Sequence, residues 1–268
     1  MSTFSTRLFS GIALFLLSLK MAYGNLLISP THLVLEDRQR SNKITLINSG
    51  QHTQTYRLVW KTKQAQPQGG YQDIDPNSAP LTLRADTMIR FSPRQVTLAP
   101  GQRQTIRVSA RRPKDLIDGE YRSHLSFIAL PAETRSHNSG ISLDVVMNYT
   151  MPVMVRHGAS KQNTQLITAS NEFIGKDKAK FNLELAHQGH TSTCGNLVIL
   201  WRDNTSDTPR EVARINQFRI YPELTQLNVS LTSYQQVPNY GQYQVTFTGL
   251  NSLEGQQLFQ SPWINIKP

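Results

Sequence analysis

The chain has 268 residues, a single cysteine, an aromatic fraction of 8% and a formal net charge of +10. Its length allows one or two domains. One cysteine excludes a disulfide framework and a multi-thiolate zinc or iron–sulfur site within the chain. The positive charge predicts an anionic partner, which could be nucleic acid, a membrane surface or another protein.

Residues 1–24 are predicted to form a secretory signal peptide. An apolar stretch from Leu8 to Leu19 follows a short segment with one positive side chain, and Ala22-Tyr23-Gly24 places small residues at both key positions of a cleavage site. The alternative is an uncleaved membrane anchor, but the stretch is shorter than the roughly 20 residues of a membrane span. After cleavage, the protein would lie in the periplasm and would not be inserted into a membrane.

Short runs rich in Val, Ile, Leu, Thr and Tyr recur along the rest of the chain and are separated by turn residues, without a sustained helical period. This pattern predicts an all-β sandwich or barrel. The number of runs before residue 156 is that of an immunoglobulin-like sandwich. The predicted strands are Leu26–Leu35, Lys43–Asn48, Thr55–Lys61, Thr87–Phe91, Gln104–Ala110, Tyr121–Ala129 and Ile141–Val155.

A short polar segment that contains glycine, Arg156–Ser160, is typical of a hinge between domains. A second series of strands follows it. We therefore predict two immunoglobulin-like β-sandwich domains, residues 25–157 and 158–268, joined at an angle by a short hinge. The strands predicted for the second domain are Gln165–Ala169, Lys180–Ala186, Asn196–Trp201, Val212–Tyr221, Leu224–Leu231, Gly241–Thr248 and Gln257–Ile266.

The positive charge is concentrated in the predicted first domain. It carries 17 basic and 10 acidic residues from Asn25 to Gly158, against 9 and 8 from Ala159 to Pro268. Four arginines between Arg103 and Arg112 suggest nucleic acid as one partner, but no aromatic residues interleave with them and export would remove the protein from the cytoplasm. A solvated basic strand face is the preferred interpretation.

The segment from Gly140 to Val155 is long for a strand, since strands usually have about five or six residues. Its apolar residues Ile141, Leu143, Val145 and Met147 share one face. An exposed apolar strand promotes pairing with other chains and is normally avoided. The segment therefore suggests strand addition to a partner. The alternative is an ordinary central strand that faces its own core.

Several segments of the first domain follow one another in a recognisable order: Ile28–Leu35, Ile44–Asn48, Met88–Gln102, Thr105–Arg107, Asp118–Phe127 and Val153–Arg156. With the signal peptide and the two-sandwich plan, they resemble the periplasmic chaperones that assemble pili and fimbriae through the chaperone–usher pathway. The resemblance covers the first domain well. It extends to the second only loosely, through Thr191–Leu197 and the region of Tyr240 and Gly241.

This resemblance implies a chaperone with no enzymatic activity and no cofactor. In the family, the last strand of the first domain fills the groove of a pilin or fimbrial subunit that lacks one strand, and the subunit then passes to an outer-membrane usher. Another subunit's N-terminal strand replaces the chaperone strand, so release needs no nucleotide. Matching Arg156 to the arginine of the family's domain junction places Leu143, Val145 and Met147 at the donor positions, with Ile141 as a further plug.

Two positions depart from the family pattern. Its best-known members hold the subunit's C-terminal carboxylate with an arginine in the first strand and a lysine in the donor strand. Here these positions are His32 and Pro152, and proline carries neither a charge nor an N–H. The resemblance leaves Arg122 as a candidate carboxylate anchor, with His32 and His124 beside it. The alternative for Arg122 is an internal salt bridge, for example to an acid of its own domain.

Other side-chain patterns do not indicate a catalytic or metal site. His187 and His190 are spaced by three, but the sequence identifies no third ligand, and neither a nucleophile elbow nor a glycine-rich phosphate loop is present. Cys194 is interpreted as a small, semi-buried residue of a strand.

The alternative function is an exported two-domain β-sandwich that acts in adhesion or carbohydrate binding. That function predicts aromatic residues clustered at loop tips. The three tryptophans instead lie in predicted strands, which favours the chaperone.

Overall fold

The computed structural model describes residues 26–131, 147–159, 161–175, 177–205 and 207–267. The predicted signal peptide and the donor positions Ile141, Leu143 and Val145 lie outside these residues. The described residues form an all-β protein with two β-sandwich domains, which confirms the predicted fold class. No helix in this part of the chain is long and apolar enough to cross a membrane.

The first sandwich is built from two sheets that pack around one apolar core. Its strands are β1 (Leu26–Ser29), β2 (Leu33–Leu35), β3 (Ser41–Asn48), β4 (Gln54–Lys61), β5 (Lys63–Ala65), β6 (Tyr71–Asp73), β7 (Ile89–Ser92), β8 (Gln95–Leu98), β9 (Arg103–Ala110), β10 (Gly119–Ala129) and β11 (Tyr149–His157). One sheet has the order β1-β3-β9-β7 and the other β2-β11-β10-β4-β8, while β5 and β6 form a separate hairpin. Two 3-10 turns, Leu81–Leu83 and Ala85–Thr87, precede β7.

The second sandwich begins with β12, five residues after β11 ends. Its strands are β12 (Gln162–Ile174), β13 (Lys178–Gly189), β14 (Thr193–Arg202), β15 (Arg210–Ile220), β16 (Gln226–Thr232), β17 (Gln242–Gly249), β18 (Gln257–Gln260) and β19 (Ile264–Asn265). One sheet has the order β12-β13-β16 and the other β15-β14-β17-β18, with β19 also paired to β17. A 3-10 turn, Asn251–Leu253, lies between β17 and β18.

The predicted strand Leu26–Leu35 is in fact two strands that belong to opposite sheets. β1 pairs antiparallel with β3, whereas β2 runs parallel to β11. Pro30 lies between them, and its missing N–H prevents a continuous hydrogen-bonded ladder. The chain therefore crosses from one sheet to the other at this point and places β2 at the edge, next to β11.

Strand β11 lies between the two domains and is buried on both faces near its C-terminal end. Met151, Val153 and Val155 point into the core of the first sandwich. Met154, on the opposite face, belongs to the core cluster of the second sandwich. Arg156 follows on that same face and is 5% exposed. The apolar residues on the two faces of β11 are therefore buried in two different cores, one in each sandwich.

Candidate functional site

The candidate site is centred on the N-terminal end of β11, where the predicted donor segment enters the first sandwich. β11 pairs antiparallel with β10 as far as Phe127 opposite Tyr149. Met147 comes two residues before Tyr149 and is 48% exposed. The amide of Ala129, the last residue of β10, donates a hydrogen bond to Asn148 Oδ1 over 3.0 Å. Met147 thus lies at the limit of the pairing that β10 provides.

Met147 has the same strand phase as the core-facing residues of β11. Tyr149 packs against the first core, and Met151 is buried in it. Residues two apart on a strand share a face. Of the four predicted donor residues, Met147 is the one that the structure describes, and its apolar side chain is half exposed. The donor role of all four residues remains a prediction.

The two positions that the sequence analysis compares with carboxylate anchors, His32 and Pro152, lie in one row across one face of the sheet. Pro152 is opposite His124 on β10, and His124 is opposite Lys61 on β4. His32 directly precedes Leu33, which is opposite Val153. The row therefore runs from His32 through Pro152 and His124 to Lys61. Lys61, at its far end, is exposed.

Arg122 is held in an ion pair between the domains. Its side chain is 2% exposed, and both terminal nitrogens bond to the carboxylate of Glu223 in the second domain. The guanidinium also donates to the Lys63 carbonyl over 3.3 Å and lies 3.8 Å from the ring centroid of Tyr221. The internal salt bridge considered for Arg122 is therefore present, but its acid belongs to the other domain. Its role as an anchor remains a prediction and would require Arg122 to release Glu223.

His124 is buried beneath the β5–β6 hairpin. It is 1% exposed, and the ring of Tyr71 meets it edge to face at 4.7 Å between centroids. Burial, with smaller contributions from Arg122 and Lys63, lowers the pKa of His124 to about 3. Its imidazole is therefore uncharged at neutral pH. As an anchor it could offer a hydrogen bond but no positive charge.

His32 is partly buried at the start of β2. Burial, followed by the charge of Arg219, lowers the pKa of His32 below its usual 6.5. This candidate anchor is therefore also uncharged at neutral pH. The three residues predicted to hold a carboxylate thus comprise one guanidinium that already has a carboxylate partner and two neutral imidazoles.

Arg156, the predicted junction residue, bonds to side chains of both sandwiches. Its Nε donates to Glu120 Oε2 over 2.9 Å, and its Nη1 donates to Glu36 Oε1 over 3.1 Å and to Ser252 Oγ over 2.8 Å. Glu120 Oε2 also accepts from the Ser192 hydroxyl over 2.7 Å. Because this charge pair is almost fully buried, removing one partner would leave a costly unpaired charge. The network fixes the base of β11 to the second domain.

A cleft of about 220 Å³ opens beside this network, between β2 and the second domain. His32 and Val34 line one wall. Ser192, Arg219 and Asn251 line the other, and Arg156 lies between the domains. Cys194 also lines the cleft but is 3% exposed, so it is fully buried and not semi-buried as the sequence suggested.

The β5–β6 hairpin connects the domains on the other side of the row. Tyr71 donates a hydrogen bond to the Tyr221 hydroxyl over 2.9 Å, and the Ala65 amide donates to Glu223 Oε1 over 3.1 Å. The Asn228 amide reaches the Pro67 carbonyl at 3.2 Å. The sequence analysis missed these contacts because each joins segments more than 100 residues apart. The only local indication of these contacts was Glu223, an acid just after the predicted strand that ends at Tyr221.

Among the described residues, no three His, Cys, Asp or Glu side chains come together as potential metal ligands. His187, one of the two histidines spaced by three, is 1% exposed. Its Nδ1 lies 3.1 Å from the Thr164 hydroxyl, and its Nε2 lies 3.2 Å from the Thr191 carbonyl. Both ring nitrogens therefore have partners within the second sandwich.

No family model matches the chain, and no curated protein matches its sequence. Among solved structures, the class 5 fimbriae chaperone CfaA is 16% identical, with a TM-score of 0.48, covering 88% of this chain and 98% of the other. A chain of the CsuC–CsuE chaperone–tip adhesion subunit complex of Acinetobacter baumannii is 14% identical, with a TM-score of 0.45, covering 91% and 99%. A chain of the Salmonella enterica SafA pilin–SafB chaperone complex is 12% identical, with a TM-score of 0.46, covering 92% and 97%. Similarities of this size do not assign a function.

Proposed function

We propose that the chain is a periplasmic chaperone of pilin or fimbrial subunits, which belongs to the chaperone–usher pathway. It completes the fold of an unfinished subunit with the segment Gly140–Val155 and delivers the subunit to an outer-membrane usher. The proposal depends on one observation at the N-terminal end of β11. There, Met147 continues the phase of the core-facing residues, while β10, the neighbouring strand, ends at Ala129.

Antiparallel register supports the assignment of the donor residues. Extending the pairing of Phe127 with Tyr149 puts residue 147 opposite Ala129. An extended segment N-terminal of Met147 would therefore run past the end of β10, where the described residues offer it no strand partner. In that segment Ile141, Leu143 and Val145 would share the face of Met147, because strand side chains alternate. Unpaired backbone and a row of apolar side chains together are what strand addition requires.

The expected energetics agree with such a role. Burial of four aliphatic side chains in a subunit groove contributes about 1.5–3 kcal/mol each, before the costs of association. Backbone hydrogen bonds along the strand fix direction and register. Release requires no nucleotide, because an incoming strand with the same alternation can take over both the side-chain burial and the backbone bonds.

The second domain has a supporting role in this proposal. Arg156 with Glu120, and Arg122 with Glu223, fix it against the sheet that contains β11. The donor segment therefore emerges from a rigid base, which lowers the entropy lost on binding. The first domain also carries the excess positive charge, which would attract the carboxylate at the end of a client chain.

Co-purification tests the proposed function. We expect the tagged full-length chain, co-expressed with the products of its neighbouring genes, to recover a small β-rich subunit from the periplasm in a stoichiometric complex. An adhesion or carbohydrate-binding protein would instead be recovered alone and would bind a glycan surface. Recovery without any subunit, from cells in which all the neighbouring products are expressed, would contradict the proposal.

A further inference from the structure

The outer face of the sheet β1-β3-β9-β7 carries positive side chains and no acid within its four strands. The apolar residues of β3, β7 and β9 point into the first core, so the residues that alternate with them point outward. Four of these are cations, and all are exposed: Lys43, Arg90, Arg103 and Arg107. The other outward positions are serine, threonine, leucine or isoleucine. We call the four cations the basic face.

The charges of the basic face are not paired with acids. None of its four side chains forms an ion pair with another described residue. Arg90 Nη1 donates to the carbonyl of Asp86 over 3.4 Å, but the Asp86 carboxylate bonds to Arg84 and accepts from the Ser123 hydroxyl. The face therefore presents its full positive charge to solvent.

The pairing of β9 with its two neighbours places like charges side by side. Lys43 of β3 is directly opposite Arg107, and side chains so placed have Cβ atoms about 5 Å apart. On the other side Arg107 is opposite Ser92, which makes Arg90 of β7 its diagonal neighbour. Like charges directly opposite each other destabilise a sheet. The free protein therefore holds three cations together against their repulsion, which an anionic surface would relieve.

We propose that the basic face binds an anionic membrane leaflet peripherally, through the phosphate groups of its lipids and without insertion. This inference goes beyond the proposed chaperone function, which does not require contact with lipid. Guanidinium and ammonium groups both form strong charge-assisted hydrogen bonds to phosphate. Each cation held close to an anionic leaflet strengthens binding about fivefold, so four cations on one face suffice for reversible attachment.

The composition of the outer face favours a membrane over an acidic protein as the partner. Protein interfaces depend on a few anchors, often aromatic, that fill pockets of the partner. Here no aromatic side chain points outward from the four strands, and short serine and threonine side chains separate the cations. At the β1 edge, Leu27 is 55% exposed and lies opposite Ile47, where aliphatic groups can contact the headgroup boundary of a leaflet.

Membrane binding through this face would leave the donor segment accessible. The basic face belongs to one sheet of the first sandwich, and β11 belongs to the other, with the core between them. The sheet that contains β11 would therefore face away from the lipid. Client binding and membrane binding can then occur on the same molecule.

Co-sedimentation with lipid vesicles measures this binding. The protein is purified from the periplasm, so that the apolar segment of the predicted signal peptide does not contribute. We expect phosphatidylcholine vesicles with about one-third phosphatidylglycerol to bind it about tenfold or more tightly than pure phosphatidylcholine. This preference should disappear at about 1 M salt, where charges are screened beyond about 3 Å. The variant Lys43→Gln/Arg107→Gln should bind the anionic vesicles about 25-fold more weakly.

Arg57→Gln/Lys178→Gln is the matched control, because it removes the same charge from two exposed positions outside the basic face. It should keep nearly the vesicle affinity of the unmodified chain. The melting temperature of Lys43→Gln/Arg107→Gln should not fall, since these substitutions remove a repulsive pair. A loss of binding in that variant is then a property of the face and not of failed folding.

Equal affinity for the two kinds of vesicle in the unmodified chain, or equal loss in the two double variants, would overturn the proposal. Normal vesicle binding by Lys43→Gln/Arg107→Gln, together with loss of binding to the usher, would also overturn it and would assign the face to a protein partner. Co-purification of a subunit depends on the donor segment of the other sheet, so failure of this inference is distinct from failure of the proposed function.

Discussion

Replacement of Leu143 or Val145 by aspartate is expected to abolish recovery of the client subunit while the chaperone itself stays folded. In the proposed complex each side chain enters an apolar groove, where an unpaired carboxylate costs several kcal/mol. A loss of affinity of about 100-fold or more should follow. The measurement is the amount of periplasmic subunit that co-purifies with each variant, together with the variant's melting temperature.

Ser142→Asp is the matched control for this experiment. It introduces the same charge into the same segment, but on the opposite face of the predicted strand. Subunit recovery with this variant should therefore stay near that of the unmodified chain. If Leu143→Asp and Val145→Asp both retain normal recovery, the segment is not the donor strand. Equal loss with all three variants would contradict the predicted alternation.

Replacement of His124 by leucine is expected to make the protein more resistant to acid. The pKa of His124 is about 3 in the folded protein against 6.5 for the ordinary side chain, so the unfolded chain binds more protons between these values. The free energy of unfolding therefore falls as the pH drops through this window, by about 1.4 kcal/mol per pH unit. His124 alone should remove about 3 kcal/mol between pH 7 and pH 4. Denaturant unfolding of both proteins at a series of pH values measures the difference.

At pH 7 the leucine variant should be about as stable as the unmodified chain. Neither ring nitrogen of His124 has a hydrogen-bond partner among the described residues, so an apolar side chain of similar size forfeits little. His52→Leu is the control, because it removes an exposed imidazole and should keep the original acid dependence. Parallel pH profiles for His124→Leu and the unmodified chain would show that burial of His124 does not couple to protonation.

The all-β class and the two sandwiches follow from the sequence because strand alternation is a local property. It is visible in runs such as Ile44–Asn48, where Ile44 and Leu46 face the first core, and Tyr121–Phe127, where Tyr121, Leu125 and Phe127 do. The length of β12 could not be predicted in the same way. Most of its residues are polar and only Thr164 is buried, so pairing with β13 along nearly its whole length is what makes it a strand.

Only part of the candidate site could be predicted from the sequence. The sequence indicated a long apolar segment ending at Val155 and a junction at Arg156, because both are local features. It could not reveal that Arg122 bonds to Glu223, since this pair joins residues 101 positions apart.

Amide hydrogen exchange in the isolated chain and in its complex with the client subunit tests the central claim most directly. If residues 141–147 add a strand to the subunit, their amides should exchange about 100-fold or more slowly in the complex, which corresponds to about 3 kcal/mol of protection. Amides of β12, at residues 162–174, serve as the internal control and should not change. A stable complex in which residues 141–147 exchange as fast as in the free chain would contradict the account.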